Sequence, residues 1–247
     1  MSTALPLANV EEGDGDDLVV FVHGALDTKA RFDSVVGLLS DECRTLRYDR
    51  RGYGASPAGE TPPLDVHGHS DDLVDLLDGR RAVLVGHSFG GLVVLGAVER
   101  APELVRAVVL YETAMPWVPG WARNAVDDAL ASDDPEGQML HLLLRGTLDS
   151  RSERWQAARR AEAPALVAEQ RSIRVGGSTF DPEVIDVPLV FGLGTVGTFH
   201  IIADHLRRHV PALEVVGIEG AGHNGPSTHA AEFADVVRRG LELAQGR

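Results

Sequence analysis

Cysteine is almost absent. Cys43 is the only one among 247 residues, so no internal disulfide can form and a reducing compartment such as the cytoplasm is the simpler expectation. It falls just ahead of an expected strand, at the end away from where reactive groups collect, so packing rather than nucleophilic chemistry is its expected role. Long apolar runs are missing as well: none approaches the roughly 18 residues of a membrane span. Residues Met1–Asp17 lack the basic stretch and apolar core of a secretion signal. Positive charge is scarce. With 23 Lys and Arg against 37 Asp and Glu, the formal net charge is −14. That field opposes a phosphate-binding groove and gives no attraction to anionic lipid, so neither nucleic acid nor membrane is expected as a partner.

What the chain does have is alternation. Short β-branched runs recur at Leu18–Val22, Thr45–Tyr48, Ala82–Val85, Ala107–Tyr111, Leu189–Phe191 and Leu213–Ile218, as buried parallel strands tend to look. Between them lie helix-like segments, Lys29–Leu39, Asp65–Leu77, Gly90–Glu99, Phe199–His209 and His229–Ala244. Such alternation implies an α/β fold: a mostly parallel sheet flanked by helices, with reactive groups beyond the carboxyl ends of the strands. Between Tyr111 and Pro188 the strand rhythm stops. Helix-like stretches Gly120–Ala131, Pro135–Leu148 and Ser152–Gln170 fill this gap, which also holds all three tryptophans, Trp117, Trp121 and Trp155. The expected organisation is a core domain of residues 1–115 and 185–247 with a helical cap, 116–184, inserted between two strands. The tryptophans either pack cap against core or line an apolar pocket; Trp117 and Trp121 are the pocket candidates.

The sharpest motif is Gly86-His87-Ser88-Phe89-Gly90-Gly91, directly after the run Arg81–Val85. This G-x-S-x-G spacing between a strand and a helix puts the serine on a sharp, strained turn. The glycines let neighbouring backbone pass without Cβ clashes, and the helix N-terminus favours developing negative charge. His23-Gly24-Ala25 follows the first long strand. Main-chain N–H groups from this position and from the residue after the nucleophile can bind an oxyanion, which nominates Ala25 and Phe89. His23 itself is expected to be structural, with a place beside the pocket as its functional alternative. Gly220-Ala221-Gly222-His223 follows the last strand, and among ten histidines His223 is the best-placed general base for Ser88. Asp49-Arg50-Arg51-Gly52-Tyr53-Gly54-Ala55-Ser56 reads as a supporting turn.

In this order, His23-Gly24, Asp49 to Ser56, Gly86 to Gly91, Pro188-Leu189-Val190 and Gly222-His223 resemble the α/β-hydrolase superfamily over nearly the whole chain from Leu18 to Ala244. The resemblance implies a serine hydrolase of the carboxylesterase kind. It would act on a small acyl substrate through an acyl-enzyme intermediate, with no cofactor and no metal. Two departures stand out. Members usually open with a longer strand hairpin, so an early strand is expected to be lost or shortened. They also usually carry an aspartate shortly after the strand at Pro188–Phe191, whereas no acidic residue occurs between Asp186 and Asp204. Asp186 precedes that strand and Asp204 falls within the next helix. Glu112, at the end of the preceding strand Ala107–Tyr111, is the better candidate. Certain haloalkane dehalogenases take their acid from this strand, and Tyr111 to Pro116 resembles theirs. The serine in place of their aspartate does not imply dehalogenation. The expected triad is thus Ser88, His223 and Glu112, with Asp204 the competing carboxylate.

Other motifs receive structural readings. Gly192 to Gly197 spells G-x-G-x-x-G, which would suit a dinucleotide, but such a unit normally opens its domain, so a tight strand-to-helix turn is expected. His200, His205 and His209 lack the carboxylate or cysteine partners of a metal site and read as a solvated helix face. His67 and His69 stand at a helix start, from which either could approach substrate. Against the hydrolase stand a small-molecule receptor or a C–C hydrolase or lyase on the same fold, and, more remotely, a nucleotide-dependent oxidoreductase.

Overall fold

The computed structural model describes residues 6–56, 58, 63–121, 124–174, 180 and 185–246. Parts of three expectations lie outside them: the start of Met1–Asp17, two residues of Gly120–Ala131, and most of the stretch that would close the cap after residue 174. Among the described residues seven strands form one sheet in the order β1-β3-β2-β4-β5-β6-β7. They are β1 Asn9–Glu12, β2 Leu18–Val22, β3 Arg44–Tyr48, β4 Ala82–His87, β5 Val105–Tyr111, β6 Leu189–Gly194 and β7 Leu213–Ile218. All pairings are parallel except that of β1 with β3. β1 is the shortened opening strand: four residues, Asn-Val-Glu-Glu, largely exposed. Its carboxylates suit an edge that must not recruit another strand.

β2 shows why the sheet has two covered faces. Its side chains alternate, so Leu18, Val20 and Val22 enter one core while Val19 and Phe21 enter the other. The first core is covered by α2 (Val66–Leu77), α3 (Phe89–Arg100) and α7 (His200–His209). The second is covered by α1 (Asp33–Leu39) and α9 (Ala230–Gln245), the latter entered through a short α8 (Gly225–Thr228). The Asp65 carboxylate caps α2 by accepting from the Gly68 amide at 2.8 Å. Cys43 is fully buried in the second core, and burial pushes its thiol up to about 11, leaving it protonated and inert.

Among the described residues three α-helices stand between β5 and β6: α4 (Asn124–Ala131), α5 (Pro135–Leu143) and α6 (Glu153–Ser172). They share a small core of their own, including Met139, Leu140, Ala163 and Leu166, against which Ala25, Leu26 and Trp155 pack. A buried polar cluster joins α6 to the sheet. Glu169 is paired with the Arg50 guanidinium, accepts from the Tyr53 hydroxyl at 2.8 Å, and lies 2.9 Å from His69 Nε2. Arg50 also donates from Nε to the carbonyl of His23 at 3.0 Å and from Nη2 to that of Gly24 at 2.9 Å. Both charged side chains are wholly buried. Burial alone would push Glu169 up, but the Arg50 charge and the His69 bond hold it down. The supporting turn after β3 is therefore structural, as its sequence indicates: it carries the cation that fixes both the His23–Gly24 loop and a helix of the insertion.

Candidate active site

β4 and β5 run in register, with His87 opposite Tyr111. The residues that follow, Ser88 and Glu112, both take left-handed backbone, with φ of 53° and 44°. Ser88 then leads straight into α3. The turn is possible because a Cβ at Gly86 would collide with the Cα of Gly91, and one at Gly90 with the carbonyl of Val22. Strain of this kind persists only where the surroundings over-determine it, and it gathers at functional sites.

Three side chains meet above these strand ends. His223 Nδ1 lies 2.8 Å from Glu112 Oε2, and His223 Nε2 lies 3.1 Å from Ser88 Oγ. A carboxylate only accepts, so the ring proton sits on Nδ1; Nε2 keeps its lone pair and receives the Ser88 hydroxyl. Glu112 is 1% exposed and His223 43%. The second carboxylate oxygen of Glu112 accepts from the Gly194 amide at 3.0 Å. The glycine run after β6 therefore holds a carboxylate of this chain, and its resemblance to a nucleotide loop has a structural explanation. Asp204, the competitor, lies on α7 and pairs with Arg207 at 2.8 Å in an exposed bridge.

Other residues position His223. The His87 Nε2–H donates to the carbonyl of His223 at 2.8 Å, and the Tyr111 hydroxyl donates to that of Gly222 at 2.9 Å. Phe199 stacks on the His223 ring, 5.3 Å between centroids and 7° from parallel. Sequence reasoning missed all three. His87 carried a signal, because it is the variable residue before the serine, on a strand aimed at the site. Phe199 and Tyr111 carried none beyond lying at element ends. Burial holds His87 well below the ordinary histidine range, so its ring is neutral.

A cavity of about 700 Å³ opens over Ser88, within the size range of small-molecule sites. Ala25, Phe89 and Trp121 line it, together with His87 and His223. Two pocket candidates, His23 and Trp117, do not. His23 is fully buried; its Nδ1–H donates to the carbonyl of Gly24 at 2.9 Å and its Nε2 accepts from the Arg50 amide at 2.9 Å. Both ring nitrogens are committed to backbone, which explains its structural role. Trp117 packs against Phe180, 6.2 Å between centroids, in an apolar patch with Leu95, Met115 and Ile185. Its position along the chain did not show that it would meet Leu95 of α3 and Leu206 of α7 instead. Trp155 belongs to the small core of the inserted helices. His69 faces Glu169 and does not reach the cavity. His205 and His209 stack on α7 at 4.8 Å, and no group of three metal-ligating side chains occurs among the described residues. No helix among the described residues is long and apolar enough to cross a membrane.

Comparison with known proteins agrees with this architecture. A 2-(acetamidomethylene)succinate hydrolase of Mesorhizobium japonicum is 34% identical over 122 residues, which is 48% of this chain and 43% of that protein. The aligned stretch thus spans less than half the length of that relative. A pimeloyl-[acyl-carrier protein] methyl ester esterase of Neisseria meningitidis is 26% identical over 91% of this chain and 93% of its own. A solved esterase of Thermogutta terrifontis superposes with a TM-score of 0.75 at 20% identity, over 98% of this chain and 96% of that one, which speaks for the fold. The model of the Alpha/beta hydrolase family matches residues 19–236, and with a match of that extent the chain belongs to the alpha/beta hydrolase family.

Proposed function

We propose that the protein is a serine hydrolase that cleaves a carboxylic ester or related acyl substrate by way of an acyl-enzyme. One observation carries the reading: the continuous chain from Ser88 Oγ through both nitrogens of His223 to the buried Glu112 carboxylate. Serine alone is a poor nucleophile at neutral pH, and this chain supplies what it lacks. As Ser88 Oγ attacks the acyl carbon, its proton passes to His223 Nε2. The imidazolium formed is stabilised and oriented by Glu112, which stays unprotonated. His223 then gives the proton to the leaving oxygen. A water, deprotonated in turn by His223, releases the acid and restores the serine.

The tetrahedral oxyanion needs donors already in place. Phe89 is the first residue of α3, so its amide has no carbonyl partner within the helix and is free to serve. The Ala25 amide, on the loop beside Ser88, is the second donor in this reading. The inserted helices act as a cap that shapes the acyl pocket, with Trp121 on its wall. An organophosphonate should label Ser88 covalently, and p-nitrophenyl acyl esters should turn over in wild type and not in Ser88→Ala. Failure of the phosphonate to modify Ser88 would remove the proposal.

A further inference from the structure

The charge of the cavity opposes that of the chain. Among the described residues Arg31, Arg145, Arg151 and Arg174 line it, against a single carboxylate, Asp27. The protein as a whole has net charge −14. Two of these arginines are internally compensated. Arg31 pairs with Asp27 at 2.5 Å and Arg174 with Asp127 at 3.1 Å. The other two are not. The Arg145 guanidinium has no hydrogen-bond or ion-pair partner among the described residues. The Arg151 guanidinium rests 5.7 Å over the Trp155 ring and meets no carboxylate among the described residues. Arg159 lies over the same ring at 5.5 Å and is anchored to Glu162 at 2.8 Å. Trp155 therefore offers a platform that orders the Arg151 side chain before any ligand arrives.

Backbone strain marks the same place. Among the described residues, five non-glycine residues have φ in the left-handed region: Leu26, Asp78, Ser88, Glu112 and Arg145. Leu26, Ser88 and Arg145 line the cavity, and Glu112 orients the histidine above it. Only Asp78 lies elsewhere, at the end of α2. A chain leaving a helix usually takes this conformation at glycine. At the end of α5 it does so at Arg145 and only then at Gly146, whose φ is 69°.

Arg145 and Arg151 belong to the connection between α5 and α6, whereas Ser88 stands on the sheet. A ligand touching both must extend across the cavity, past apolar side chains such as Leu92 and Ile173. Arg145 and Arg151 are exposed, as His223 is at 43%, so a group held by the two arginines lies at the mouth of the cavity, where a carboxylate keeps part of its hydration. Resting on the reading of Ser88 as nucleophile, we infer that the substrate carries a carboxylate, gripped by Arg145 and Arg151 across an apolar spacer from the ester that Ser88 attacks. The substrate class is then a carboxylate-bearing ester, not a simple fatty ester.

The test compares two fluorophosphonate probes of equal length, one with a plain alkyl chain and one ending in a carboxylate. Each forms a Ser88 Oγ–P bond and expels fluoride, so labelling of Ser88 reads the nucleophile and the ratio of the two rates reads the inference. The expected result is that the carboxylate probe labels wild type about tenfold faster, roughly 1.4 kcal/mol of discrimination. The preference should shrink between about 0.01 M and about 0.1 M salt, as the Debye length falls from about 30 Å to about 10 Å. It should approach unity in Arg145→Gln/Arg151→Gln and persist in Arg81→Gln, a cation at the far end of β4. Labelling of Ser88 by the alkyl probe with no preference for the carboxylate would overturn the inference alone. So would a preference that survives the double substitution. Labelling of Ser88 by neither probe would overturn the underlying reading with it.

Discussion

Ser88 and Glu112 are neighbours across two strands. His87 pairs with Tyr111, the Ser88 amide donates to the Tyr111 carbonyl at 2.9 Å, and each residue leaves its strand with positive φ. The proposed nucleophile and its carboxylate are thus fixed by one stretch of backbone register, and His223 bridges them from a loop at the other end of the chain. A carboxylate presented from the strand beside Ser88 needs little loop to hold it. Here the holding is done by the Gly194 amide, at 3.0 Å.

Glu112→Gln should lower kcat by about 10³–10⁴-fold, the order of loss when the acid of such a relay is neutralised. The amide keeps the shape but presents an N–H where His223 Nδ1 needs an acceptor, which favours the wrong ring tautomer. Asp204→Asn, on an exposed helix face, should leave kcat within about twofold. Steady-state kinetics on a p-nitrophenyl ester decide between them; the reverse ranking would dismiss Glu112.

Glu112 illustrates what the chain made legible. An apolar strand followed by one acid, with no acid between Asp186 and Asp204, pointed to it without coordinates, as Gly86 to Gly91 and Gly222-His223 pointed to Ser88 and His223. Six of the seven strands are visible as β-branched runs, though β6 continues through Gly192 to Gly194 because backbone pairing needs no apolar side chain. β1 was illegible as Asn-Val-Glu-Glu, since an edge strand has little surface to bury. Trp117 was misplaced for a related reason. Spacing gives the element and its end, but which neighbour a ring meets depends on how elements pack. The helix expected over Ser152–Gln170 forms as α6 and runs through Pro164, with Ala163, Ala165 and Leu166 buried around it to offset the local cost.

The Arg50–Glu169 pair offers a stability test. Glu169→Gln strands a fully buried guanidinium, and breaking one side of such a pair costs about 3–5 kcal/mol. For a domain of this size the thermal midpoint should fall by roughly 10 °C. Because Glu169 lies on α6 and Arg50 also holds the His23–Gly24 loop, esterase activity should fall before the sheet unfolds. Parallel scans by activity and by far-UV circular dichroism check this; coincident transitions would refute the local role.

Acid should destabilise the protein through two histidines. Burial, first, and nearby positive charge hold His23 and His87 well below their ordinary value near 6.5. His23 must keep Nε2 bare to accept from the Arg50 amide, and His87 Nδ1 is buried with no hydrogen-bond partner among the described residues. The unfolded chain takes up these protons as pH falls through about 6.5, while the folded chain resists until much lower pH. The unfolded state therefore binds more protons, and stability rises with pH across that window and is highest above it, with a slope of up to about 1.4 kcal/mol per pH unit for each histidine. Urea midpoints should be lower at about pH 5.5 than at about pH 7.5. An unchanged midpoint would mean that both rings titrate normally.

Tyr111→Phe separates positioning from binding. The hydroxyl donates to the Gly222 carbonyl at 2.9 Å, one residue before His223, and has no place in the cavity lining. Removing it leaves the carbonyl short of one bond, worth about 1 kcal/mol, on the loop that must hold His223 Nε2 within reach of Ser88. The expected signature is a kcat reduced by about five- to tenfold with KM unchanged, because the lost bond restrains the proton carrier and touches no part of the acyl chain. Thermal stability should fall by only a few degrees, since a single net hydrogen bond is at stake. If KM rises while kcat holds, the loop shapes the pocket instead, and the clamp on the histidine is made by His87 and Phe199 alone.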